Sequence, residues 1–217
     1  MGSGGELMSD YGEMTLEQYR DALASEAPTP GGGTAAAVAL SQGAALAVMV
    51  CNLTEGNDKW IDGWGDAHAC RSVATPLLEL GHQLASDDAD AFDRVMLSFK
   101  MPKNTEDEVH IRRSAIQKAT HDAAMVPMKT ANRAFELLVM LPALATTGNA
   151  NAVTDVGVSG LLVSAACKGA LFNVEININS LPDEIGGDLR IQLDELRLSC
   201  RDAARDVMHA VHGRMQS

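Results

Sequence analysis

The sequence is poor in the patterns from which chemistry is most easily read. Its four cysteines, Cys51, Cys70, Cys167 and Cys200, lie far apart with no CxxC pair, which excludes a disulfide framework and a zinc signature. Cys51, Cys167 and Cys200 sit in apolar or helical surroundings and read as packed thiols in a reducing cytosol. Basic residues are also short: 17 Lys and Arg against 29 Asp and Glu leave a formal charge of −12. Such a surface is unsuited to nucleic acid or to an anionic membrane, whose affinity rests on Lys and Arg neutralising phosphate. There is no HExxH, no GxSxG, no GxGxxG after a strand and no GxxxxGK followed by Ser or Thr. Nucleotide binding is therefore not indicated. Six histidines are scattered, and no carboxylate completes a metal site beside His209 and His212, so no metal is expected. No basic, apolar leader marks the chain for export, and a cytoplasmic location is expected. Met1–Leu7 reads as a cloning remnant, with Met8 the natural start and 8–217 a single domain.

Strands are missing as well. Val174–Ile178 alternates apolar and polar residues but is short and isolated, and everything else has helical period. Thr15-Leu16-Glu17-Gln18 is a capping-box pattern opening a short helix to about Ser25, and Thr105-Glu106-Asp107-Glu108 is a second. Pro28 and Pro30 break the chain before an Ala/Gly-rich helix that begins about Gly33-Thr34. Gly56–Gly65 reads as a loop, and Asp66–Phe99 as a long helix interrupted by Met101-Pro102-Lys103-Asn104. The next helix meets Pro127 and continues to Gly148. A polar connector, a second small-residue helix over about Asp155–Val174 and a last amphipathic helix after Pro182 complete the chain.

The expected fold is all-α, a single-domain bundle of about six to eight helices. The stretch 32–53 is about long enough to span a bilayer. It is nevertheless built from Ala and Gly, carries Ser41 and Gln42 near its middle, and has no aromatic or basic flanks, so it reads as a buried helix of a soluble protein. Two helices that are apolar around most of their circumference must be covered on all sides, and this implies a homodimer.

The polar residues fall in islands between apolar helices. Gly31, Gly32 and Gly33 precede a helix whose free N–H groups can receive an anion or a carbonyl, or else they make a tight turn. Asn52 and Thr54 close the same helix. Of Asp87, Asp88, Asp90 and Asp93, helical spacing puts Asp88 on the face of Phe92, Val95 and Ala91. A carboxylate there must be paired or do chemistry, because burying an isolated charge is very costly. Lys103 stands before a helix start, where its charge opposes the dipole unless an anion is near. Asn149, Asn151 and Asp155 make turns, caps or ligand contacts, and Asn173 can clamp a heterocycle edge.

Taken in order, these islands resemble a known family. The series Pro28-Thr29-Pro30-Gly31-Gly32-Gly33, Met49-Val50-Cys51-Asn52-Leu53-Thr54, Asp88-Ala89-Asp90-Ala91-Phe92, Pro102-Lys103-Asn104-Thr105, Gly148-Asn149, Thr154-Asp155-Val156-Gly157-Val158 and Asn173-Val174 is similar to the formiminotetrahydrofolate cyclodeaminase/methenyltetrahydrofolate cyclohydrolase family. The likeness runs from about residue 15 to 183, and the MVCNLT and PKNT wording looks nearest to the free-standing bacterial cyclohydrolases. It implies a helical dimer acting on a tetrahydrofolate, with no cofactor beyond that substrate. It also implies that 5,10-methenyltetrahydrofolate is hydrolysed to 10-formyltetrahydrofolate. The alternatives are a formiminotetrahydrofolate cyclodeaminase, which is an ammonia lyase, or a catalytically silent folate-binding paralogue. Cyclodeaminase activity is commonly joined to a formiminotransferase domain, for which 217 residues leave no room.

Asp88 is then expected as the base that also stabilises the cationic carbon, and Lys103 as the acid or the orienter of water. Asp155 is expected to grip the pterin's guanidine-like edge with Asn149 and Asn151, while Gly31–Gly33, Asn52, Thr54 and Asn173 line the pocket. The family's lysine-rich run after NLTxG is reduced here to Lys59 beside Trp60, and Lys59 is the residue left to meet the substrate's glutamate tail.

Overall fold

A computed structural model describes residues 11–216. The expected Met1–Leu7 remnant and the start at Met8 lie outside them. Among the described residues there are seven α-helices and no strand. They are α1 (Leu16–Leu23), α2 (Gly32–Glu55), α3 (Trp64–Phe99), α4 (Glu106–Leu138), α5 (Leu141–Thr147), α6 (Val153–Ile178) and α7 (Asp183–Gln216). Short 3-10 turns at Asp58–Gly63 and Ala150–Ala152 link the helices flanking them.

Both capping boxes form. Thr15 accepts from the Gln18 N–H at 3.2 Å while the Gln18 side chain takes the Thr15 N–H at 2.8 Å. Thr105 and Glu108 make the same exchange. The expected loop over Gly56–Gly65 is instead ordered as a 3-10 turn, because the Asn57 side chain caps it by accepting from the Lys59 N–H at 2.9 Å. The helix expected to run to Gly148 stops at Leu138, and α5 starts afresh at Leu141. Pro142 has no N–H to continue the ladder, whereas in the first turn of a new helix that N–H is not needed. Val174–Ile178 is the last turn and a half of α6, so its alternation does not mark a strand.

α2 and α6 pack antiparallel through small residues. Ser159 donates to the Gly43 carbonyl at 2.7 Å, and a Cβ on Gly43 would come within 2.5 Å of the Val163 side chain. α3 flanks α2, with Gly81 against Ala37 and Ser41, and α7 flanks α6, with Gly160 against Val207. α4 packs against both α3 and α6. Leu40, Val50, Leu137, Leu138, Leu141, Val163 and Val174 are fully buried between these layers. Each such side chain contributes about 1.5–3 kcal/mol relative to exposure.

The cysteines that are distant in sequence meet in space. The Cys51 and Cys70 thiols face each other across α2 and α3, and those of Cys167 and Cys200 across α6 and α7, while Cys167 Sγ donates to the Ala131 carbonyl at 3.6 Å. All four are buried, and their partners together with burial push the Cys70 and Cys167 thiols far up.

Two stretches, Gly32–Glu55 and Ala150–Ile178, are long and apolar enough to cross a membrane by length and composition, and just over half of each is buried inside the bundle. The remainder forms an open stripe. On α6 it consists of Val158, Leu161, Ala165, Lys168, Phe172 and Ile176, with Phe172 at 68% and Ile176 at 69% exposure. Ala45, Met49 and Leu53 continue it on α2. With α3 packed against α2 and with α4 and α7 packed against α6, these residues are the parts of the two helices left uncovered among the described residues.

Candidate active site

The site residues gather at the two ends of α2. At its N-terminal end the two prolines prevent helix, Gly31 stays extended at φ −128° and ψ −157°, and α2 begins at Gly32. Asp88 of α3 meets this helix start. Its Oδ2 accepts from the Thr34 hydroxyl at 3.4 Å, and the Thr34 backbone N–H also faces its carboxyl. The carboxylate lies so close to Gly33 that a Cβ there would stand 2.3 Å from Oδ1. Burial pushes the Asp88 carboxyl above the usual aspartate value, while both Thr34 donors pull it back.

Asn173 comes to the same end from α6, 3.7 Å from where a Gly32 Cβ would be. Its Nδ2 donates to the Gly169 carbonyl at 2.9 Å. Asp87 accepts from Gln83 at 2.9 Å instead of joining the group. Phe92, one turn beyond Asp88, is 37% exposed.

At the C-terminal end of α2, Thr54 is fully buried. Its hydroxyl donates to the Val50 carbonyl at 2.8 Å and accepts from the Asn149 N–H at 3.0 Å. The Asn149 side chain donates to the Leu53 carbonyl at 3.2 Å and accepts from the Asn151 N–H at 3.0 Å. Each end of that amide contacts main chain, so Asn149 shapes the corner here. Asn52 is exposed, with Arg71 3.5 Å from its Oδ1, and Arg71 also pairs with Glu55. The Lys59 ammonium stands 4.7 Å from the centre of the Trp60 ring. Asp155 lies half-buried in the first turn of α6.

Gly33 and Thr54 are twenty-one residues apart on one helix, or about 30 Å at 1.5 Å per residue. One chain therefore brings Gly31–Gly33, Asp88 and Asn173 together at one end. It brings Asn52, Thr54, Lys59, Asn149, Asn151 and Asp155 together at the other, and it does not join the two sets. Lys103 belongs to neither. α3 continues eleven residues past Asp88 to Phe99, about 16 Å along its axis, and exposed Lys103 lies in the connection beyond. Thr34, Trp64 and Arg71 were not expected from the sequence. Thr34 was the most accessible of them, as the first hydroxyl after the glycine run. Trp64, whose indole N–H donates to the Thr54 carbonyl at 3.0 Å, carries no local signal. Among the described residues no group of three or more His, Cys, Asp or Glu is placed to hold a metal ion.

The formiminotransferase-cyclodeaminase family model matches residues 15–187, which contain both ends of this arrangement. The chain belongs to the formiminotransferase-cyclodeaminase family. It is similar to a methenyltetrahydrofolate cyclohydrolase from Methylorubrum extorquens, 37% identical over 83% of this chain and 87% of the relative. It is also 32% identical over 80% of its length to the formimidoyltransferase-cyclodeaminase of Rattus norvegicus, of which it covers 32%. The chain thus spans about a third of that longer relative. Its fold matches the crystal structure of a formiminotetrahydrofolate cyclodeaminase from Thermotoga maritima with a TM-score of 0.82 and 27% identity, covering 93% of this chain and 98% of the other.

Proposed function

We propose that this family member is a methenyltetrahydrofolate cyclohydrolase, converting 5,10-methenyltetrahydrofolate and water to 10-formyltetrahydrofolate. The observation that carries the reading is the half-buried Asp88 carboxylate held by Thr34 at the start of α2. A carboxyl raised by burial is a better base near neutrality than an exposed one. Its charge also faces the site of a cationic, amidinium-like carbon.

In this mechanism Asp88 takes a proton from the attacking water, leaving a neutral tetrahedral adduct. It returns that proton to N5 as the carbon–N5 bond breaks, and the adduct's hydroxyl proton leaves to solvent as the formyl carbonyl forms. Asp88 therefore serves as both base and acid. Lys103, exposed beyond the end of α3, is given no part in this proton transfer. The reaction as written needs no added cofactor.

The working form is a cytoplasmic homodimer. A second copy packed antiparallel on the open α2–α6 face would cover Val158, Leu161, Met49 and Leu53. It would also set the Asp88 end of one protomer against the Thr54–Asn149 end of its partner. Two composite pockets result, each with the carboxylate from one protomer and Asn52, Lys59, Asn151 and Asp155 from the other.

The test is loss of the methenyl absorbance above its spontaneous rate, for wild type and Asp88→Asn. Acceleration that Asp88→Asn abolishes supports the assignment, and an unaffected variant sinks it. The likeness to the Thermotoga maritima cyclodeaminase supports a second reading, ring closure of formiminotetrahydrofolate with release of ammonia. Ammonia release from that substrate, faster than methenyl hydrolysis, would favour it.

A further inference from the structure

We infer that Arg214, near the end of α7, is a positioning residue for the Thr54–Asn149 end of the site. It lies beyond residues 15–187, the part of the chain that the family model matches. The inference rests on the folate reading of that end.

The peptide unit joining Gly148 to Asn149 is held from both sides. Its N–H, carried by Asn149, donates to the Thr54 hydroxyl at 3.0 Å. Its carbonyl, carried by Gly148, accepts from Arg214 Nη2 at 3.4 Å. This fixes the plane of the peptide from which Asn149 and Asn151 depart. Gly148 has little freedom to compensate, since a Cβ on it would lie 2.5 Å from the Leu144 carbonyl and 3.1 Å from the Thr54 hydroxyl.

The same guanidinium reaches a second part of this end. Its carbon stands 5.6 Å from the centre of the Trp60 ring, within the range of a cation–π contact. Trp60 is the residue at which the Asp58–Gly63 turn leaves helical geometry, at φ −109° and ψ 24°. Its indole N–H is buried with no hydrogen-bond partner, so contacts to the ring carry much of the burden of fixing it. Arg214 thus ties the Trp60 turn, which carries Lys59, to the Asn149 corner. A planar guanidinium can serve both contacts at once, whereas an ammonium on a flexible stem serves one.

The experiment compares wild type, Arg214→Ala and Arg214→Lys in the full chain. For Arg214→Ala the KM for 5,10-methenyltetrahydrofolate should rise about tenfold, the scale of one partly desolvated cation–π contact. Its kcat should stay within about twofold, because transition-state contacts at Asp88 are untouched. Quenching of tryptophan emission by acrylamide should increase in parallel. Arg214→Lys should recover part of both effects, and it takes over the comparison if the alanine variant does not fold. An unchanged KM overturns the inference, even if thermal stability falls, because Arg214 would then only pack. Unchanged quenching overturns it as well. If wild type does not turn over the substrate, the proposed reaction fails separately and Kd for 5-formyltetrahydrofolate replaces KM. Equal Kd in wild type and Arg214→Ala, or no folate binding by wild type, then overturns the positioning role.

Discussion

The Asp88 carboxylate occupies the space that a side chain on Gly33 would need: a Cβ there would stand 2.3 Å from one oxygen and 2.4 Å from the other. No side chain can be added at Gly33 without moving the carboxylate. Gly33→Ala should drive the carboxylate off the Thr34 donors, and a misplacement of about 1 Å costs about 100-fold in rate. Steady-state kinetics at saturating substrate would check this, with circular dichroism to show that α2 persists.

Replacing the carboxylate itself separates activity from stability. Asp88→Asn should lower kcat by about 10²–10⁴-fold, the usual worth of a positioned base. The same variant should melt at a higher temperature at neutral pH, because it removes a charge whose burial is unfavourable.

The pH dependence follows from the sign of the Asp88 shift. Its folded-state value is raised, so the folded protein binds more protons than the unfolded chain between the ordinary and raised values. The contribution to stability is fully present below the ordinary aspartate value and is lost as pH rises through the raised one. Activity runs the opposite way, gaining its basic limb over the upper part of that window. Denaturant titrations and kcat measured over the same pH series should show opposed slopes, which Asp88→Asn should flatten.

At the other end of α2, Thr54→Val keeps the shape and removes the hydroxyl that accepts the Asn149 N–H. An unsatisfied buried donor costs about 1–3 kcal/mol. Thermal melts should fall by about 2–4 °C for each kcal/mol in a chain of this size. Substrate affinity should weaken with it.

The open α2–α6 face gives a prediction about assembly. Leu161→Glu, placed at an exposed position of α6, should leave helicity unchanged while converting dimers to monomers. Light scattering coupled to gel filtration reads the mass. Activity should fall with dimer content if each pocket needs both protomers, and an active monomer would refute the composite site.

Much of the fold was legible because local rules acted alone. The two capping boxes, at Thr15–Gln18 and Thr105–Glu108, form as their spacing requires. The break at Pro28 and Pro30 comes where it must, since no neighbour can restore a missing N–H. Asp88 could be singled out because one carboxylate in a run of four fell on an apolar face. What stayed hidden depends on contacts between distant segments. Cys51 meets Cys70 and Cys167 meets Cys200 only because two pairs of helices run antiparallel in a particular register. The stop at Leu138 needed the position of Pro142 relative to a new helix start. The division of the site was hidden for another reason. Sequence order says which motifs belong together, but not that a single helix holds two of them apart.

α2 thereby acts as a gauge. Adding one residue to its apolar middle would lengthen it by about 1.5 Å and swing one end by about 100° relative to the other. Gly33 would leave Asp88, or Thr54 would leave Asn149, and Gly43 could not keep its contact with Ser159 in both halves. The alanines between these points can be exchanged for other small residues, but their number cannot drift. Between Gly33 and Thr54 the function depends on a distance more than on a spelling, and an insertion there should be harsher than most substitutions.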